Sequence, residues 1–248
     1  MPTPSFEDLP LEAISRAAHY NHHHRSLGTG AARAAVFGAS DGLVSNVALI
    51  MGVAAADPAP GMVRLAGIAG LVAGAVSMAA GEYTSMKAQA ELFERELRVE
   101  SQAQRDNPGL ETLELVKIYE SRGMPAASAQ ELAEAVMSDP KVALEVHARE
   151  ELGIDPSELG SPVAAAAWSF GSFALGAILP LIPWFIGGGD GALMASIVFG
   201  LLGAAGIGVL VGHFSGRSIP FVAARQALIA TVAALVTYGI GTLVGTGI

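Results

Sequence analysis

With 248 residues, 52% of them apolar and 15% charged, the chain carries far fewer charges than the quarter usual in soluble domains. Its net charge of −9 offers no basic patch to nucleic acid, and the lack of cysteine excludes disulfides, thiolate zinc sites and redox motifs. Thirty glycines, many inside apolar runs, suit helices that pack closely in lipid.

In chain order, Met1 to Tyr20 is mixed and acidic, without the basic start and short apolar core of a secretory leader. Glu12 to Tyr20 is long enough for a short helix. His22, His23 and His24 follow, and this run reads either as a solvated linker or as a metal-capturing segment. Ala34 to Ala56 is the first apolar run, long enough to cross about 30 Å of hydrocarbon. A turn at Asp57 to Gly61 leads to a second span, from about Met62 to Met86.

Residues 87–161 are different. They hold sixteen of the twenty-three carboxylates and eight of the fourteen basic residues, so their net charge is −8. Helix should continue from the second span to about Gln104, then recur over Leu110–Ser121, over Ser128–Met137 behind a capping box, and from Asp139–Pro140 to Gly153. Ser161 and Pro162 open a third span, Pro162 to Ile186, loosened at its far end by Pro180 and Pro183. Gly191–Gly212 and Val222–Val244 complete five spans. The predicted fold is an all-α membrane protein: five transmembrane helices with a three-helix acidic insert between the second and third. Residues 1–33 form an N-terminal segment, 34–86 the first two spans, 87–161 the insert and 162–248 the last three.

Arginine and lysine fix the orientation. With the N-terminus inside, the short inside segments hold five basic residues and the outside only Arg64. The N-terminus and acidic module are therefore expected in the cytoplasm and the C-terminus outside. Eleven Arg against three Lys and abundant Ala lean towards a bacterial inner membrane, with a vacuolar membrane the counterpart if the source is eukaryotic.

Two groups of residues carry chemistry. In the module, Glu96 and Glu100, Glu111 and Glu114, and His147 with Glu151 share helix faces. Like charges so spaced repel unless a cation lies between them, and carboxylates with an imidazole suit Mn, Fe or Zn better than Mg or Ca. A solvated acidic face is the plainer reading of the same run. No Glu-x-x-His pair supports a ferritin-like di-iron site. In the membrane, Asp41 lies inside a span, where a charge costs at least ~2.5–3.5 kcal/mol. Ser45 and Asn46 follow about one turn later, and Met78 and Glu82 lie four apart on the second span. Asp41, Asn46, Met78 and Glu82 together read as a path for a borderline-soft divalent ion. A carboxylate satisfied by a neighbouring helix is the structural alternative for Asp41, and plain packing is the alternative for Met78.

Three stretches, Ala34 to Asn46, Gly74 to Ser85 and Ala148 to Ile154, closely resemble the vacuolar iron transporter family, which includes bacterial members. The resemblance runs from about His22 to the end. It implies a homodimer of five-span subunits exporting Fe²⁺, and often Mn²⁺, from the cytosol, in exchange for protons, along a path lined by the first two spans. That path role carries over to Asp41 and Met78. The family's module gathers metal with glutamates and a methionine, and Glu100, Glu111, Glu114 and Glu151 match those glutamates. Ala103 stands where another glutamate is expected, and His147 where the methionine is expected. His147 can still be a ligand, whereas Ala103 cannot.

The expected function is therefore export of Fe²⁺ or Mn²⁺, with Zn²⁺ and Co²⁺ as further candidates, by a non-enzymatic proton antiporter. The metal is substrate, and no cofactor is expected. Membrane lipid and a second copy of the chain are the partners, with no nucleic acid. The alternative is a metal-responsive sensor or scaffold whose module binds ions that its spans do not move. A membrane-embedded enzyme lacks a nucleophile with a base, a phosphate loop and an intramembrane histidine cluster.

Overall fold

The computed structural model describes residues 30–153 and 160–245. The histidine run, the proposed helix before it and most of the acidic stretch after Gly153 lie outside the described residues. Those described are all-helical: α1 (Gly30–Ala54), α2 (Pro60–Asp106), α3 (Pro108–Ser121), α4 (Ala126–Met137), α5 (Pro140–Glu150), α6 (Pro162–Ile178), α7 (Ile182–Ile186), α8 (Gly189–Ser215) and α9 (Ile219–Gly245). Five segments are long and apolar enough to span a bilayer: α1, α2, α6 with α7, α8 and α9. The chain is an integral membrane protein.

Small residues let these helices approach. On α8 the buried positions are Ala192, Ser196, Gly200, Ala204, Gly208 and Gly212, a strict four-residue repeat of small side chains. The stripe packs against α9 and α1. Where α1 crosses α6, a Cβ on Gly42 would strike the backbone of Phe173 and one on Gly176 would strike the Ala39 carbonyl. The α1–α6 contact is therefore close to backbone against backbone. Pro180 and Pro183 act as anticipated: α6 stops at Ile178 and continues as a 3-10 turn, Leu179–Leu181, before α7. Ser196 Oγ donates to the Pro180 carbonyl at 2.7 Å, giving the break a partner on α8.

Several boundaries differ from the sequence reading. The first span ends at Ala54 rather than Ala56, because Ala55 to Asp57 turn the chain, with Asp57 at φ +49°. The fifth begins at Ile219, three residues early, directly after Gly216 closes α8 in a left-handed conformation. α3 starts at Pro108 rather than after Gly109, proline being already preset for a first helical position. Ser128 is not a cap: α4 begins at Ala126 behind Pro125, whose extended backbone launches the helix two residues sooner. Asp139 does cap α5, accepting from the Lys141 and Val142 amides at 2.9 and 3.4 Å, and Ser161 Oγ caps α6 through Ala164 N at 3.3 Å.

α2 dominates the architecture. Its 47 residues make a rod of about 70 Å, more than twice the ~30 Å of hydrocarbon. Its apolar first half packs on α6 and α1, and its charged second half continues without a break to meet α5 and α3. α3 and α4 join through Leu115, Tyr119, Ala129 and Ala133. α5 lays Ala143, His147 and Ala148 inward, and an Arg122–Glu150 ion pair ties it to the end of α3.

Candidate metal sites in the module and the membrane

The module cluster follows from helix periodicity. On α3, Glu111 precedes Leu115 and Tyr119 by one and two turns, so the face that buries these two also buries Glu111. On α5, His147 follows Ala143 by one turn on the buried face. Glu100 is buried on the projecting part of α2. These three offer ligand atoms all within 4.8 Å of one another. Glu111, Glu114 and Glu151 form a second group by the same measure, its outer two members exposed. Glu111 belongs to both. All five module residues selected from the sequence therefore converge on two adjoining groups.

The chemistry of the inner group is one-sided. His147 is fully buried, and its Nδ1 donates to the Ala143 carbonyl at 2.9 Å. In a neutral ring Nε2 then carries a lone pair. Around it lie three more acceptors: the Glu111 carbonyl at 3.3 Å, Glu111 Oε2 at 3.7 Å and Glu100 Oε1 at 4.0 Å. Glu111 Oε2 is buried with no hydrogen-bond partner. Of these acceptors Glu111 Oε2 is the one left bare, and a proton on the ring or on the Glu111 carboxyl, or a metal ion, would supply its missing partner. Burial, then the charges of Glu100 and Glu114 and a hydrogen bond with Glu100, push the Glu111 carboxyl up to about 7 from the ordinary 4.5, against a lowering by His147. Burial, Glu100 and Glu114 raise Glu151 as well.

Gln104, which the sequence reading did not select, donates to Glu100 Oε1 at 3.0 Å from one turn along α2. That oxygen is also the one 4.0 Å from His147 Nε2, so Gln104 orients the carboxylate at the cluster. Its four-residue spacing from Glu100 was the available signal. Ala103 is half-buried on the same helix and brings no ligand atom.

In the membrane, Asp41, Ser45, Asn46 and Met78 line one cavity of about 310 Å³ between α1 and α2, with Phe173 of α6 at its wall. Asp41 is exposed, and no hydrogen bond or ion pair reaches its carboxylate from the described residues. Ser45 Oγ donates back to the Asp41 carbonyl, a local bond that leaves the carboxylate untouched. Met78 packs beside Ala75, Phe173 and Ala177. Asn46 is almost fully buried; its Nδ2 donates to the Ala177 carbonyl at 2.6 Å, and its Oδ1 has no partner. Glu82 is one turn beyond Met78, outside the cavity wall, and its Oε1 accepts from Arg33 Nη2 at 3.1 Å. Arg33 was not selected from the sequence, and a separation of 49 residues gave no local signal for it.

A sequence model of the VIT family matches residues 32–242, which include both candidate sites. Vacuolar iron transporter 1 of Oryza sativa subsp. japonica is 30% identical over 243 residues, 96% of each chain. The vacuolar iron transporter of Acanthamoeba castellanii is 36% identical over 89% of this chain and 82% of its own length. Vacuolar iron transporter 1 of Arabidopsis thaliana is 28% identical over 91% and 90%. With the family pattern running through all five spans and the module between them, the chain belongs to the VIT family.

Proposed function

We propose that this protein carries Fe²⁺, and Mn²⁺ as a second substrate, out of the cytosol in exchange for protons. Metal-ion transport is what the names of its relatives describe. The observation that carries the reading here is the buried cluster of two carboxylates and an imidazole at His147 Nε2, with Glu111 Oε2 unpartnered, which suits a borderline divalent ion. In the cycle, the module takes an ion between Glu100, Glu111 and His147, with Glu114 and Glu151 as an outer stage. The ion then passes Glu82 and enters the cavity between Asp41 and Met78, where carboxylate and thioether replace part of its water. A proton returning to Asp41 releases it outward. No covalent chemistry is involved.

The same reading includes a homodimer. Asp41, Ser45 and Ser77 lie exposed on one face of the α1–α2 pair, where an uncovered carboxylate would meet lipid. A second copy against that face closes the path. The membrane is either a bacterial inner membrane, favoured by composition, or a vacuolar one, as in the relatives' names. Both put the module in the cytosol.

Anaerobic Fe²⁺ uptake into liposomes bearing the purified protein, with and without a pH gradient, tests this. Flux that rises with the gradient and moves protons in step is expected. Gradient-independent flux removes the antiport. A folded protein that binds iron and moves none is a sensor or scaffold, and the proposal fails.

A further inference from the structure

We infer that the side-chain carbonyl of Asn46 is a direct ligand for the divalent ion in the α1–α2 cavity, held in place by the amide's bond to α6. The inference rests on the transport reading for its ion, but its geometry is independent of that reading. An asparagine amide has a donor end and an acceptor end, and in a buried site both need partners. Here the donor end is fixed: Nδ2 donates to the Ala177 carbonyl at 2.6 Å, just before α6 gives way to its 3-10 turn. That bond sets the flip of the amide, since the opposite flip would place oxygen against oxygen. Oδ1 is therefore turned towards α2, buried and without a hydrogen-bond partner.

The wall opposite is made for this. A Cβ on Gly70 would displace the tip of the Leu49 side chain and lie 3.1 Å from Asn46 Oδ1, so glycine there keeps a methyl off the oxygen. Asp41 and Met78 line the same cavity. The three donors are complementary: a charged oxygen, a neutral oxygen and a polarizable sulfur. A neutral carbonyl coordinates a dehydrated cation without adding a second negative charge that would hold it too tightly. The unpaired oxygen also has a cost, because in a lipid-surrounded protein no bulk water compensates a bare acceptor. An ion in transit supplies that missing partner.

The test uses the full chain with its module silenced by Glu100→Gln, Glu111→Gln, Glu114→Gln, His147→Gln and Glu151→Gln, titrated calorimetrically with Co²⁺ as a non-oxidising probe. One Co²⁺ per chain is expected in this background. Asn46→Leu, which keeps the volume but removes both polar ends, should weaken that binding about tenfold or more. Gly70→Ala keeps Asn46 and its tie to Ala177, turns the Leu49 tip aside and places a methyl 3.1 Å from Oδ1, and should weaken it about threefold or more. Unchanged Co²⁺ affinity in Asn46→Leu, accompanied only by a lower melting temperature, would make Asn46 a tie between α1 and α6 and overturn the inference. Should Asn46→Leu fail to fold, unchanged affinity in Gly70→Ala overturns it equally, as does a silenced chain that binds no Co²⁺. Asn46-dependent binding in a protein that passes no iron into liposomes would sustain the site while the transport reading falls.

Discussion

Arg33 at the start of α1 holds Glu82 of α2 through a 3.1 Å ion pair, so the carboxylate one turn beyond Met78 already has a cation. The guanidinium is 73% exposed and Glu82 only 15%, so one partner is free to swing away and the other is not. On the proposed path, a metal arriving from the module would compete with a tethered charge rather than meet a bare acid.

Arg33→Gln should therefore ease entry. The KM for Fe²⁺ in liposomes is expected to fall about two- to fivefold, while stability changes by less than about 1 kcal/mol, as for other exposed pairs. Arg33→Lys should stay close to wild type. A rise in KM for Arg33→Gln would mean that the pair supports the entrance instead of occupying it.

Asp41→Ala should abolish transport and leave metal binding by the module as it was. The carboxylate has no structural partner among the described residues, so removing it leaves no orphaned group behind. Flux at the wild-type rate from this variant would sink the pathway assignment.

His147→Ala removes a fully buried imidazole from the acceptor cluster. Affinity of the module for Fe²⁺ or Co²⁺ should fall about 10- to 100-fold, the scale of a lost charge-assisted contact. His147→Met restores volume and a soft donor but not the bond to Ala143, and should recover part of the loss. Equal affinities for wild type and His147→Ala, measured anaerobically by titration, would remove the ring from the ligand set.

The raised pKa values of Glu111 and Glu151 give a pH signature. The Glu111 carboxyl stands at about 7 in the folded chain against 4.5 ordinarily, so its protonated form favours folding. That contribution is fully present below about 4.5 and disappears as pH climbs through about 7. Glu151 is shifted in the same direction. The metal-free protein should thus melt at a lower temperature at pH ~8 than at pH ~5.5. A divalent ion should reverse the order, binding more tightly as the proton leaves. Chelated protein that gains stability over this range would contradict the buried-acceptor description.

Apolar run lengths and proline positions made the five spans legible, because the bilayer imposes a length that sequence shows directly. The module's candidate ligands were chosen through likeness to a family more than through spacing: like-charged pairs on one helix face also describe a solvated surface. Glu111 was the exception in principle, since it stands in register with Leu115 and Tyr119. What could not be read was contact across helices. Arg33 finds Glu82 across 49 residues and Asn46 finds Ala177 across 131, and neither distance leaves a trace in local pattern. Ser128 misled for the opposite reason, as a good local motif overruled by the proline before α4.

The unbroken rod of α2 carries Glu82 and Glu100 on one helix, eighteen residues or about 27 Å apart. On the proposed path, an ion leaving Glu100 has that distance to cover before it reaches Glu82. Because no break interrupts the helix, the gap between the two carboxylates is set by backbone rise and not by the swing of a linker.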